Sequence, residues 1–200
     1  MKITHYREKD FKTSNWSGGT TTELFIYPRE ADYKKRDFLF RLSSATVDLD
    51  RSDFTPLSGF FRFISPLNGD LKISHDEKNF TKLKPYEVYA FDGGAKTASI
   101  GRVRDFNLMV KNGVETEVKN FALNENSVLK FSVLTGEIGW IFLYNTKAML
   151  IAETLNEKKE FNIEKMDLIV FEPEGTEEQE VFVSADKNLS LFYGKVPIAF

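Results

Sequence analysis

Two arginines, Arg41 and Arg62, stand inside runs of apolar and small residues, FLFRLSSATV and GFFRFI. In an extended chain alternate side chains share a face. Arg41 therefore lies with Leu39, Ser43, Ala45 and Val47, and Arg62 with Phe60 and Ile64. A guanidinium on such a face requires an opposite charge or hydrogen-bonding groups. Other in-strand polar residues could supply them: Glu23, on a face with Thr21, Phe25 and Tyr27, and Asp105 and Asn107, on a face with Met109. Two chemistries follow. Arg62 could form a structural ion pair with Glu23 or Asp105, or the set could line a cavity in which a guanidinium grips a carboxylate through two parallel hydrogen bonds.

Other chemistries find less support. The chain has no cysteine and two histidines, His5 and His75, far apart in sequence. A transition-metal site built from imidazoles and a carboxylate is therefore not expected, and no metal or other cofactor is assigned. Asp48–Gly59 fails as a calcium loop, with Asp53 where glycine is needed and Gly59 where glutamate is needed. No Gly-x-Ser-x-Gly elbow is present, and no catalytic residue is assigned. Gly18-Gly19 lacks the lysine of a phosphate loop and reads as a turn into a strand. Glu172, Glu174, Glu177, Glu178 and Glu180 read as a solvated acidic connection. Glu23 or Asp105 could serve a metal-independent enzyme as general base, but two arginines nearby are expected to hold a carboxylate pKa low.

Charge and hydropathy bound the partners. The 200 residues carry 27 Lys+Arg and 30 Asp+Glu, a net charge of −3, with no basic stripe, which argues against nucleic acid. The longest apolar run, Ile138–Tyr144, is too short to cross a bilayer, so no membrane association is expected. The opening MKITHYREKDF has no apolar signal region, and the absence of cysteine suits a reducing compartment; the expectation is a cytoplasmic protein.

The elements that must hold these residues are strands. Short β-branched and aromatic segments alternate with turn formers such as Asn68-Gly69-Asp70, Asp92-Gly93-Gly94, Asn112-Gly113, Gly136-Glu137 and Glu174-Gly175. Fifteen strands are predicted, beginning at Ile3–Tyr6, Thr20–Tyr27, Phe38–Asp48 and Phe60–Leu67 and ending at Leu189–Val196. Asp50–Leu57 is expected to form a turn, with room for one turn of helix, and no long helical period appears.

The chain also overlies itself at an offset of 80: Gly59–Ile64 on Gly139–Tyr144, Leu71 on Ile151, Leu83 on Ile163, and Tyr86–Asp92 on Met166–Glu172. This alignment places Phe142 over Arg62. The repeated unit resembles the cupin barrel, in which a short turn puts an acidic residue just before a strand, as Glu87 and Asp167 would be. The expected fold is all-β, a bicupin of two cupin-like jelly-roll β-barrels. Residues 1–112 would form an N-terminal barrel with the polar pocket, and residues 113–200 a mainly structural C-terminal barrel.

Four blocks resemble the HutD/Ves family of small non-metal bicupins: NWSGGTTTEL from Asn15, FLFRLSSATV from Phe38, Phe54-x-x-Leu-Ser-Gly-Phe-Phe-Arg62, and Gly101-x-Val-x-Asp-Phe-Asn-Leu-Met109. Together they cover about the first 110 residues. The resemblance implies a protein that binds a small pathway metabolite such as formylglutamate and acts in regulation, in histidine utilisation or stress response. It implies pocket residues Trp16, Thr20, Glu23, Arg41, Ser43, Arg62, Asp105 and Asn107. In this reading Arg62 is the main partner of a small anionic metabolite, with Ser43, Thr20, Asn107 and Trp16 as further ligand contacts, while Arg41, Glu23 and Asp105 hold the arginine geometry. The chain departs from the family pattern at Phe40, Ser58 and Phe61. Exposed Phe faces leave a homodimer open.

Overall fold

The computed structural model describes residues 1–144, 146–174 and 178–198. Gly175 and Glu177 of the acidic connection lie outside them. The described chain is all β apart from a 3-10 turn at Glu8–Asp10, and it divides into two units.

The first strand, β1 (Lys2–Tyr6), belongs to the C-terminal unit. The N-terminal unit, Phe11–Val114, follows with β2 (Lys12–Trp16), β3 (Gly19–Tyr27), β4 (Phe40–Val47), β5 (Arg51–Phe54), β6 (Phe60–Pro66), β7 (Leu71–Ser74), β8 (Thr81–Leu83), β9 (Tyr89–Asp92), β10 (Thr97–Ile100) and β11 (Val103–Lys111). These form a six-stranded sheet, β2-β3-β4-β11-β6-β9, and a four-stranded sheet, β5-β10-β7-β8. Inward residues Val47, Ile64, Leu71, Ile73, Leu83, Phe91 and Val103 form one buried cluster.

The C-terminal unit takes Met1–Asp10 and then β12 (Glu117–Leu123), β13 (Leu129–Val133), β14 (Glu137–Leu143), β15 (Ala148–Glu153), β16 (Lys158–Ile163), β17 (Leu168–Glu172), β18 (Gln179–Ala185) and β19 (Leu189–Pro197). Its sheets are β1-β17-β14-β19-β12 and β13-β18-β15-β16. The order β4-β11-β6-β9 of the first unit recurs as β12-β19-β14-β17, and β5-β10-β7-β8 recurs as β13-β18-β15-β16. The turns repeat as well. Glu87 accepts the Lys84 amide at 3.0 Å and Asp167 accepts the Glu164 amide at 2.9 Å, each turn containing a left-handed residue, Tyr86 (φ 68) or Met166 (φ 70).

The ladders correct the sequence alignment at β6. Arg62 pairs with Phe91 and Met109, and the residue that pairs with Phe171 and Lys195 is Gly139, not Phe142. The turn glycines agree, Gly59 (φ 87) corresponding to Gly136 (φ 83), an offset of 77 rather than 80. A uniform offset cannot show the insertion between the turns.

Three further expectations change. Arg51–Phe54 is strand, not turn or helix, because Ser52 and Phe54 point inward while Arg51 and Asp53 point out. Strands β2, β8 and β16 add to the expected set; β2 has little buried surface to mark it. The first ten residues leave the N-terminal unit, because β1 lies along the open edge of β17, Ile3 opposite Phe171.

Besides the ion pairs of Lys2 with Glu172 (3.0 Å) and of the terminal amine with Glu174 (3.3 Å), a buried polar contact fastens that added strand. The His5 ring nitrogen Nε2 lies 2.8 Å from the Asp167 carboxylate, whose side chain is 1 % exposed, and the imidazole packs edge-on to Phe161. His5→Ala leaves a buried carboxylate without this partner. The expected loss is about 1–3 kcal/mol of unfolding free energy in urea titrations; a loss below about 0.5 kcal/mol would show that the contact does not hold β1.

Candidate functional site

The polar set of the N-terminal unit converges on one cavity of about 290 Å³. Three adjacent strands build it. Strand β4 contributes Arg41, Ser43 and Ala45, β11 contributes Asp105, Asn107 and Met109, and β6 contributes Arg62. The ladder sets these residues side by side, Ser43 opposite Asn107 and Met109 opposite both Arg41 and Arg62. From the hairpin before β4, Trp16 and Thr21 close one side; Tyr33 and Phe54 supply aromatic walls.

The two arginines are held differently. Arg41 donates from Nε to the Glu23 carboxylate at 2.7 Å, and its guanidinium lies 4.5 Å from the centre of the Tyr33 ring. Arg62 has no hydrogen bond or ion pair among the described residues; its guanidinium sits between the rings of Phe54 (5.2 Å) and Phe91 (5.3 Å). Those faces satisfy part of its charge but leave Nε without an acceptor. Burial lowers the Arg62 pKa, and the Asp105 charge acts the other way. Asn107 Oδ1 and Trp16 Nε1 are likewise buried without partners, so three orphaned polar atoms border the same cavity.

Asp105 is 2 % exposed. Burial pushes its carboxyl up to about 6, against the Ala45 amide, which donates to Oδ1 at 3.2 Å, and against the charges of Arg62 and Arg104. The expectation that the arginines hold this carboxylate low is therefore overturned: desolvation outweighs them.

Of the sequence-predicted residues, Trp16, Arg41, Ser43, Arg62, Asp105 and Asn107 line the cavity. Glu23 stands behind Arg41 as its hydrogen-bond acceptor. Thr20 does not line it. Its amide and hydroxyl bond the Thr46 hydroxyl at 2.9 and 3.1 Å, and Thr21, one residue on and so on the other face, takes the lining position. A bulge between Glu23 and Phe25 also breaks the expected face: Phe25 and Tyr27 turn to the opposite side and stack on Phe40. Sequence reasoning misses Tyr33, which lies in a charged loop without periodicity, and Phe54, which the alternation of Ser52 and Phe54 could have revealed.

Gly18 seats the indole of Trp16, and Gly19 lets the chain pass close against Thr46. A Cβ on Gly18 would fall 2.2 Å from the Trp16 ring, and one on Gly19 (φ +153) would fall 2.2 Å from the Thr46 carbonyl oxygen. Among the described residues no three or more His, Cys, Asp or Glu side chains gather as a metal centre requires. Nor is any helix among them long and apolar enough to cross a membrane.

The fold and the cavity define an all-β protein of cupin type whose N-terminal unit carries a buried polar pocket. A family model described as HutD matches residues 8–190. The chain belongs to the HutD family. The structure is similar to a conserved protein of unknown function, PA5104, from Pseudomonas aeruginosa PAO1 (TM-score 0.82, 18% identity, 98% of this chain and 100% of that one). It is also similar to HutD from Pseudomonas fluorescens SBW25 (TM-score 0.71, 19% identity, 98% and 99%). A third likeness is to the bacterial pirin YhhW of Escherichia coli in complex with nickel(II) (TM-score 0.73, 10% identity, 99% and 100%). At these identities the structural likenesses show the fold. A search of curated protein sequences found no match.

Two predictions follow from the cavity itself. Gly18→Ala expels the indole from its seat; the expected signal is a red-shifted, more quenchable Trp16 emission in a Trp140→Phe background, and an unchanged spectrum would contradict the seat. Asp105 binds its proton more tightly folded than unfolded, so its contribution to stability is full at low pH and is lost as pH rises through about 6. Between pH 7.5 and 5 the protein should gain about 1–1.5 kcal/mol from this group. In Asp105→Asn that part of the pH dependence should disappear; an identical pH profile in the variant would refute the assignment.

Proposed function

We propose that the chain is a cytoplasmic bicupin that binds a small carboxylate metabolite, formylglutamate-like in size and charge, in its N-terminal unit, and that it acts in regulation rather than catalysis. The observation that carries the reading is the convergence of three buried, partnerless polar atoms, Arg62 Nε, Asn107 Oδ1 and Trp16 Nε1, on one cavity of about 290 Å³. Leaving such atoms unpaired costs about 1–3 kcal/mol each, and a ligand that accepts from arginine and indole and donates to an amide oxygen relieves all three. Arg62 is the main anion partner. Arg41 is already committed to Glu23 and acts as a strut, and Ser43 borders the cavity as a neutral hydrogen-bonding group. The fold likenesses and the repeated strand order support the two-barrel description, and the absence of cysteine is in keeping with a reducing compartment.

A second reading has a specific observation in its favour. A cavity-lining carboxyl raised to about 6 is suited to general-base work, so Asp105 could abstract a proton in a metal-independent enzyme acting on a similar metabolite. Turnover of candidate carboxylates followed by NMR, lost in Asp105→Asn, would establish it.

The binding reading is tested by thermal-shift screening of dicarboxylates and acyl-amino acids. At least one should raise the wild-type melting temperature by several degrees at about 100-fold excess over its Kd, and Arg62→Ala should lose that shift. If no anion stabilises the wild type, or if the stabilisation survives the substitution, Arg62 is not the anion partner.

A further inference from the structure

The duplication places a second cavity, of about 220 Å³, at the corresponding position of the C-terminal unit. The ladder correspondence is residue by residue. The pair Arg41–Met109 of the first unit becomes Glu117–Lys195, and Ser43–Asn107 becomes Lys119–Tyr193. Gly139 replaces Arg62.

The polarity of the cavity is thereby inverted. In the first unit the charges are buried, Arg62 at 6 % and Asp105 at 2 % exposure. In the second the position of Arg62 has no side chain, and a Cβ there would fall 2.6 Å from Val133 Cγ2 and 3.4 Å from the Phe131 ring. Glycine lets Val133 and Phe131 close over that position. The inner wall is aromatic: Phe131 packs against Tyr193 at 5.7 Å and edge-on to Phe171 at 5.4 Å, and Phe121 meets Tyr193 edge-on at 6.5 Å.

The charges stand at the rim. The Lys119, Lys130 and Lys195 side chains line the cavity yet keep a third to a half or more of their surface in solvent. Among the described residues each is ion-paired with one carboxylate, Glu117 at 2.8 Å, Glu180 at 2.5 Å and Glu137 at 3.1 Å respectively. An ammonium has three donors, so one acceptor does not exhaust it, and exposed pairs of this kind are weak enough to share with a ligand anion.

We propose that this cavity is a second binding site, taking an arylalkyl carboxylate with its ring inserted against Phe131 and Tyr193 and its carboxylate held at the rim by Lys119 and Lys195. The first pocket selects for charge at its base; the second excludes it there and accepts it only at the mouth. One chain would then read two chemically different carboxylates at equivalent places in its two units.

The test uses 4-phenylbutyrate as the probe, with succinate for comparison, and saturation-transfer NMR on the full chain. In an Arg62→Ala background, which removes the anion partner of the first pocket, 4-phenylbutyrate should still bind, ring protons receiving more saturation than those next to the carboxylate, while succinate should not. Adding Lys119→Glu with Lys195→Glu should weaken binding at least about tenfold. Ser132→Trp, which fills the cavity without changing charge, should abolish it in a protein whose circular dichroism is unchanged. Loss of 4-phenylbutyrate binding in Arg62→Ala alone would assign the probe to the first pocket and overturn the proposal. So would binding unaffected by both second-cavity variants, or no binding to the wild type at millimolar probe. The results of the second-cavity variants do not depend on whether Arg62 holds its own ligand.

Discussion

The N-terminal unit depends on one costly arrangement, a guanidinium more than nine-tenths buried with no ion pair among the described residues. A buried charge of this kind survives only if neighbouring groups replace part of the water it lost. Phe54 and Phe91 do so with their ring faces, and Asp105 does so with its charge. The same desolvation raises Asp105 towards neutrality. The two groups therefore share a single charge balance, and an anion arriving at Arg62 competes with the Asp105 carboxylate for the same guanidinium. The nearby Arg41–Glu23 pair has a different standing: the Arg41 charge already has a carboxylate partner without any ligand.

The duplication explains how such a site is tolerated. Both units share a strand order and repeat the acidic turn of Glu87 and Asp167, so the scaffold is set by features the pocket does not use. Within it, the inward register next to the aromatic of β9 or β17 can hold an arginine or a glycine. Where it holds Gly139, hydrophobic side chains fill the space and that position carries no charge. Arg62 is therefore not a requirement of the architecture.

Much of this is legible in the sequence because strand periodicity carries it. The faces of β4, β6 and β11 follow from simple alternation, which is enough to group Arg41, Ser43, Arg62, Asp105 and Asn107 as one polar set. Alternation fails where the backbone departs from it. The bulge between Glu23 and Phe25 reverses the second half of β3; before the bulge alternation holds and sets Thr21 on the face of Glu23, and Thr20 is implied by the family resemblance alone. Contributions from loops, such as Tyr33, have no period to read. The insertion that shifts β14 against β6 by three residues becomes visible only when the ladders fix both partners of Gly139. The crossing of β1 to β17 is a long-range pairing with no local signature.

Whether Arg62 is held ready for an anion or serves as a strut is decided by the stability of the ligand-free protein carrying Arg62→Met, measured by urea unfolding at pH 5, where Asp105 is mostly protonated and needs no counter-charge. If the guanidinium is kept for a ligand, the apolar replacement should leave the free protein as stable as wild type or more so, as replacing buried charges by apolar groups commonly does. A loss of about 3–5 kcal/mol, the usual consequence of breaking a buried structural pair, would contradict the account and make Arg62 a strut.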